Sequence, residues 1–547
     1  MKLTKNSVIF ILVILLAAFL RFYHLGSIPN SISADEAAFG YNAYSILKTG
    51  RDEFGHRLPL YLQSFDDNKN PVFAYAQIPF IWLLDLTDTV IRYPSALAGI
   101  GVVILAFYVT RAMTGNIKLS LVITLFSAIC PWLIQYSRVA IEMELALFFT
   151  LAAFWFFQKG LVSPRNLVIS AIFWTLSFYT YHSSKLFSIA FGSVLLVLYY
   201  KNIRNRYLIT SVLVFGILLI PYVSLINSAQ LGLRPYVVSV FSNQEDYFEN
   251  ARLITKDQDL GSIDGKIVHN RRLIPLNQAV QGYISVLSPT ILFGQNYYNH
   301  APFTRLLYIW MLPLTIVGVY ALTRNPRLFI LILGWLIIGL SPGGLSKFPP
   351  FDRRILLASF PLIFLSAFGY YFLSRLRKQT FISTLIIRTV LVVIPAISVY
   401  FYLHYYFVHG RIEVIDTWGN GAREVVAKVN ELKHRYDRVI VSIKANQPLT
   451  FFLYYEKYPP VQYLAEGGTI SGGFADERNK YDKYIFKFIK PEDLSVNTLY
   501  IWKTDETQPC LEPLYTINQT NGEKLVNIGA YNPDSQSCPV SDRNRSM

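Results

Sequence analysis

The sequence predicts a polytopic α-helical membrane protein that ends in a small α/β domain outside the cytoplasm. Three observations predict it. Charge is scarce: 16% of the 547 residues are charged and 53% hydrophobic, where soluble domains carry about 25% charged residues, and the mean hydropathy is +0.34. The deficit is concentrated in apolar runs that recur as far as residue 407, most of them near the length a helix needs to cross a hydrocarbon core of about 30 Å. The basic residues, finally, cluster in alternate connections between those runs, as cytoplasmic loops do.

The first run, SVIFILVILLAAFL at residues 7–20, contains no charge. Alone it would read as a cleaved leader, but followed by many others it is a signal anchor and first span. The runs place crossings at about 7–22, 92–111, 118–135, 141–158, 166–182, 185–200, 208–226, 305–322, 328–341, 353–374 and 383–407. Eleven crossings put the N-terminus in the cytoplasm and the C-terminus outside it. Lys2 and Lys5, Arg111 and Lys118, Lys159 and Arg165, Lys201, Arg204 and Arg206, Arg324 and Arg327, and Arg375, Arg377 and Lys378 then all fall on the cytoplasmic side. Topology therefore accounts for the net charge of +15, and a nucleic-acid partner is not indicated.

Residues 1–407 form the membrane part, with long external loops at 23–91 and 227–304. The first loop holds two amphipathic stretches, EAAFGYNAYSILKTG and PVFAYAQIPFIWLLDL. The second of these is apolar enough to mimic a span, but its Pro, Gln and Asp predict a helix lying in the membrane interface. Residues 408–547 read as the external α/β domain: GAREVVAKVNELKHRYD as a helix, and RVIVSI, KYIFKFI and TLYIWKT as strands. Cys510 and Cys538 lie in that domain, where an oxidising compartment permits a disulfide.

Nucleotide loops and the usual hydrolase signatures are missing, and the eight His residues show no metal-ligand spacing. The chemistry-bearing candidates are polar residues that the topology brings to the external face. They are Asp35 and Glu36, Lys69, Arg138 with Glu142, Tyr181 and His182, His300, and Arg353 and Arg354. Carboxylates and cations gathered there suit a site that handles an anionic headgroup and removes a proton. Each also has a plain structural explanation. An Asp-Glu pair can be helix N-terminal charge, Lys69 beside Asp66 and Asp67 a local ion pair, and Arg138 with Glu142 a helix-surface pair.

In order along the chain, DEAAFGYNAYSILKTG, NKNPVFAY, YSRVAIEMELALF, SVLSPTILFGQNYYNH, DRRILLASFPLIF and DTWGNGAREVVAKV resemble the C-type glycosyltransferase (GT-C) superfamily. Within it, the chain looks like the bacterial relatives of protein O-mannosyltransferases and of the lipid A aminoarabinose transferase. The resemblance implies a GT-C type fold and a sugar donor carried on polyprenyl phosphate. It implies an acceptor hydroxyl on a protein, a lipid or an envelope glycan, and a single displacement that inverts the anomeric centre. It assigns Asp35 as the base with Glu36 beside it, and Lys69 to the lipid phosphate. Arg138 and either Arg353 or Arg354 become further donor-side cations, with Glu142, Tyr181, His182 and His300 in support. Two departures stand out: Asn70 separates Lys69 from Pro71, and Glu142 stands where several relatives have Asp. No cofactor is assigned, and a divalent metal is left open. The rival reading is a transporter or flippase of lipid-linked sugars, which would place charge near the bilayer midplane and use repeated broken helices. Here the spans are nearly free of charge.

Overall fold

The computed structural model describes residues 4–64, 67–203, 205–225, 239–242, 244–270, 272–294, 305–347, 352–375, 381–411, 419–445, 447–470 and 479–533. The chain divides into two compact units. One comprises Met1–Tyr23, Ala96–Ser137 and Glu142–Leu403; the other comprises His24–Ser95, Arg138–Ile141 and His404–Met547.

The first unit is helical. Among the described residues, seven helices are long and apolar enough to cross a membrane, beginning with α1 (Lys5–Phe22). Others include Pro326–Gly344, longer than the expected 328–341, and Leu356–Leu373. The remaining expected crossings coincide with shorter or more polar helices, Ile117–Ile129, Met143–Gly160, Asn166–Thr180 and Met311–Leu322. The run at 118–135 is not one helix. It breaks at Cys130, whose extended backbone (ψ 123°) precedes Pro131 at the start of a second short helix, because a residue before proline is pushed out of the helical region. Arg21 ends α1 fully buried. Its guanidinium donates to Ser137 Oγ at 3.1 Å and to the carbonyls of Ala17 and Ala128 at 3.2 and 3.3 Å, so the buried charge is solvated by the protein.

The second unit joins the first external loop to the C-terminal domain, which the expected division at residue 407 had separated. Its first helix, α2 (Ala34–Thr49), starts at a capping box. Ser33 Oγ and Glu36 each take up the other's backbone N–H, satisfying two donors that a helix end leaves open. The hairpin β1 (Leu62–Ser64) and β2 (Asp67–Lys69) follows, then α3 (Val72–Leu84) and the start of α4 (Asp88–Thr114), which from Ala96 on belongs to the first unit. At 13 residues α3 rises about 20 Å. It turns Phe73, Ala74, Gln77 and Ile81 inward and leaves Trp82, Leu83 and Leu84 exposed.

The C-terminal part builds a six-stranded sheet in the order β4-β5-β3-β6-β8-β7. The strands are β3 (Arg438–Val441), β4 (Lys480–Tyr481), β5 (Tyr484–Phe486), β6 (Thr498–Lys503), β7 (Leu511–Asn518) and β8 (Lys524–Tyr531). β3 runs parallel to β5 and β6, and the other pairs are antiparallel. The predicted helix is Ala422–Leu432, and it buries Val425, Val426, Val429 and Leu432 on one face. That spacing matches a helical stripe, and the stripe packs with Val439, Val441, Leu499 and Ile501 of the sheet. Tyr41 of α2 belongs to the same core and donates to the Tyr458 carbonyl at 3.0 Å. Gly40 permits the contact: a Cβ there would stand 2.7 Å from the Tyr454 ring.

Candidate active site

The acid-bearing helix is held by buried arginines. Arg92 of α4 is fully buried and donates four ways. Its Nη1 reaches the carbonyls of Leu25 and Pro29 at 2.9 and 3.0 Å, its Nη2 that of Ser31 at 2.7 Å, and its Nε reaches Glu36 Oε1 at 2.9 Å. Arg138, also fully buried, donates to the carbonyls of Ile28 and His24 at 3.0 and 3.3 Å and lies over the rings of Tyr406 and Phe407. Two guanidiniums thus fix the segment that leads into α2.

Glu36 is fully buried and both of its oxygens are occupied. Oε2 accepts from the Ser33 N–H at 2.9 Å, while Oε1 accepts from Arg92 and from the Ala140 N–H at 2.8 Å. Each oxygen of this buried carboxylate therefore has a hydrogen-bond partner. One residue earlier the environment changes. The Asp35 side chain is 30% exposed, and its Oδ1 lies 2.6 Å from Nζ of Lys69, which is 7% exposed. Lys69 ends β2, where it pairs with Leu62, and its ammonium sits 5.0 Å from the centre of the Phe39 ring. An accessible carboxylate is thereby held against a nearly buried cation.

Sequence reasoning missed a third acid in this unit. Glu53 follows α2 and is buried, its oxygens accepting from Asn42 Nδ2 at 2.7 Å and from Thr469 Oγ1 at 3.0 Å. Burial pushes its carboxyl up to about 7, against the hydrogen bonds of Asn42 and Thr469 and the charge of Lys69, which act the other way. Its neighbour Asp52 is buried and accepts from the His56 ring at 3.0 Å. The stretch RDEFGH looks like an ordinary charged turn, and nothing local to it announces Thr469.

The other expected residues belong to the first unit. Glu142 is buried immediately before the Met143–Gly160 helix, and Tyr181 and His182 mark the start of His182–Tyr199. Arg354 donates to Ser346 Oγ, and the Arg353 N–H donates to Asp352 at 2.9 Å. Asp352 is buried, which raises its carboxyl above the usual range, and it faces the hydroxyl of Tyr136. His300, Asp66 and Cys538 lie outside the described residues. Among the described residues, no three His, Cys, Asp or Glu side chains converge as a metal site.

Residues 11–178 match the family of dolichyl-phosphate-mannose-protein mannosyltransferases. No curated protein sequence matches the chain. Among solved structures, the chain is similar to ArnT from Cupriavidus metallidurans in the apo state, with 12% identity and a TM-score of 0.55 over 95% of this chain and 97% of that one. The same protein bound to undecaprenyl phosphate gives 11% identity and a TM-score of 0.54, again over 95% and 97% of the two chains. The oligosaccharyltransferase of Archaeoglobus fulgidus tethered to an acceptor peptide gives 11% and 0.51, over 82% of this chain and 63% of that one. The chain is a multi-pass membrane protein with the GT-C fold, and its residues 11–178 match the mannosyltransferase family.

Proposed function

We propose that this protein is a membrane glycosyltransferase that moves a sugar from a polyprenyl-phosphate donor to an acceptor hydroxyl on the extracytoplasmic face. The observation that carries the reading is the Asp35–Lys69 pair: an accessible carboxylate 2.6 Å from a nearly buried ammonium. A phosphate arriving at Lys69 offers it a stronger anionic partner and frees Asp35. Asp35 then takes the proton of the acceptor hydroxyl while its oxygen bonds to the anomeric carbon. The bond from that carbon to the phosphate oxygen breaks with its electron pair, and Lys69 stabilises the charge that develops on the leaving group. A single displacement of this kind inverts the anomeric centre.

In this reading Glu36, Arg92 and Arg138 position α2 and touch no substrate. The N-terminus is cytoplasmic and residues 408–547 are outside, in the plasma or inner membrane. That ArnT of known structure binds undecaprenyl phosphate supports the donor class. The test is to incubate purified protein with undecaprenyl-phosphate-linked sugars and an envelope extract, following free undecaprenyl phosphate. Release that needs both donor and extract supports the proposal; no release with any donor sugar contradicts it.

A further inference from the structure

The C-terminal sheet contains a feature that the proposed transfer reaction does not use. β3 and β6 are parallel neighbours, yet the chain leaves their carboxyl ends toward opposite edges of the sheet. From β3 it passes to β5 on one side, and from β6 through β7 to β8 on the other. In open α/β sheets the crevice beyond such a pair of strand ends is where ligands bind. Here a cavity of about 370 Å³ opens at that place, lined by Val441 at the end of β3 and Lys503 at the end of β6. The volume falls within the range of small-molecule pockets.

The walls are suited to an anion. Lys444, Lys503 and Lys524 line the cavity together with Asp505. Lys503 lies 3.3 Å from Asp505, and Lys444 is 4.0 Å from buried Glu506. Glu506 is itself engaged by Ser442 Oγ at 2.8 Å and by the Lys503 N–H at 3.1 Å. The wall itself thus carries three ammonium groups and one carboxylate, Asp505.

Two helices, Ala422–Leu432 and Pro448–Glu456, begin at the cavity wall, and neither has a side-chain cap. Uncapped helix starts leave N–H groups for water or a ligand, and their dipoles favour negative charge. Glu424 in the first turn of the former is the one acid there. The enclosed amide nitrogen of Asn420, also on the wall, has no hydrogen-bond partner among the described residues. The ring of Phe451 supplies an apolar side. Gly419, on the same wall, donates to the Ile32 carbonyl at 2.9 Å, three residues ahead of Asp35.

We propose that this cavity binds a phosphate monoester on a sugar-sized body, either free or carried by a larger glycan. The phosphate sits among Lys444, Lys503, Lys524 and the two helix starts, and the body lies against Phe451. The test is calorimetric titration of the full-length protein in detergent with glucose 6-phosphate, with phosphorylated dextran, and with glucose as the neutral control. Glucose 6-phosphate binds and glucose does not. Binding weakens by about tenfold or more in the Lys444→Ala/Lys524→Ala double variant, the loss expected when charge-assisted hydrogen bonds are removed. Both lysines have exposed side chains, and the variant's unfolding midpoint stays at the wild-type value. Binding of glucose 6-phosphate alone marks a free ligand; binding of the dextran as well marks a glycan-borne one. Glucose 6-phosphate that fails to bind at millimolar concentration, or binds the double variant as tightly as the wild type, overturns the proposal.

Discussion

Asp35 and Glu36 are adjacent on one helix, yet they sit in two different chemical regions. Around Glu36 every polar atom has a fixed partner: Ser33, Arg92 and the Ala140 N–H surround it, and no part of the carboxylate is exposed. Around Asp35 the arrangement is more open: its Oδ1 lies 2.6 Å from Lys69 Nζ, and 30% of the side chain is accessible. A group that gives up its partners only at the cost of a buried, uncompensated charge is suited to holding structure. A group that can exchange its partner for an incoming ligand is suited to chemistry. The comparison separates two acids that look interchangeable in the sequence.

The predictions follow that contrast, beginning with the largest effect. Asp35→Asn lowers turnover by about 10²–10⁴, the range for loss of a general base, when the assay is normalised to the folded fraction read from a thermal melt. Arg92→Ala works on the closed side. It strands Glu36 as a buried charge and costs about 3–5 kcal/mol, read from denaturant unfolding in detergent. A variant as stable as wild type would break the distinction.

Glu53 gives a pH test. Its folded value, about 7, is raised from an ordinary 4.5. The folded state therefore binds the extra proton between those values. The stabilisation from Glu53 is fully present below about pH 4.5, declines as pH rises, and is gone above about pH 7. Glu53→Gln removes that decline, so the difference in unfolding midpoint between wild type and variant changes across this window and is flat outside it. Asn42, Thr469, Asp52 and Lys69 are the groups that act on Glu53, and Lys69→Gln shifts the window upward.

Lys69→Ala has a smaller effect on the open side. It raises the KM for the lipid-linked donor by about ten- to a hundredfold, the range for a lost charge-assisted hydrogen bond, lowers kcat because the leaving phosphate loses its cation, and leaves acceptor affinity alone. Initial rates over both substrates show which moves. Ser33→Ala is the mildest, costing about 1 kcal/mol for the lost helix cap, visible as a small drop in the melting midpoint.

How much of this was legible in the sequence depended on distance along the chain. The apolar runs, the basic loops and the strands at RVIVSI and TLYIWKT are local patterns, and the corresponding helices and strands form. Asp35 stood out because its stretch begins soon after the first span. The role of Glu36 was not visible, since its partners Arg92 and Ala140 lie 56 and 104 residues away. Glu53 was missed for the same reason: Thr469 is 416 residues further on. The run at 118–135 misled because hydropathy does not register the break that Pro131 imposes. The first external loop was grouped with the membrane part because no local pattern reports that Tyr41 packs into the C-terminal core.

The most direct test of the central claim sets Asp35→Asn beside Glu36→Gln in one assay. Donor-dependent release of undecaprenyl phosphate is measured for each, normalised to the folded fraction. The account predicts that Asp35→Asn is nearly silent while correctly folded. Glu36→Gln folds less stably, and its folded fraction retains far more turnover than Asp35→Asn. Equal turnover by Asp35→Asn and wild type, or a folded Glu36→Gln as inactive as Asp35→Asn, would contradict it.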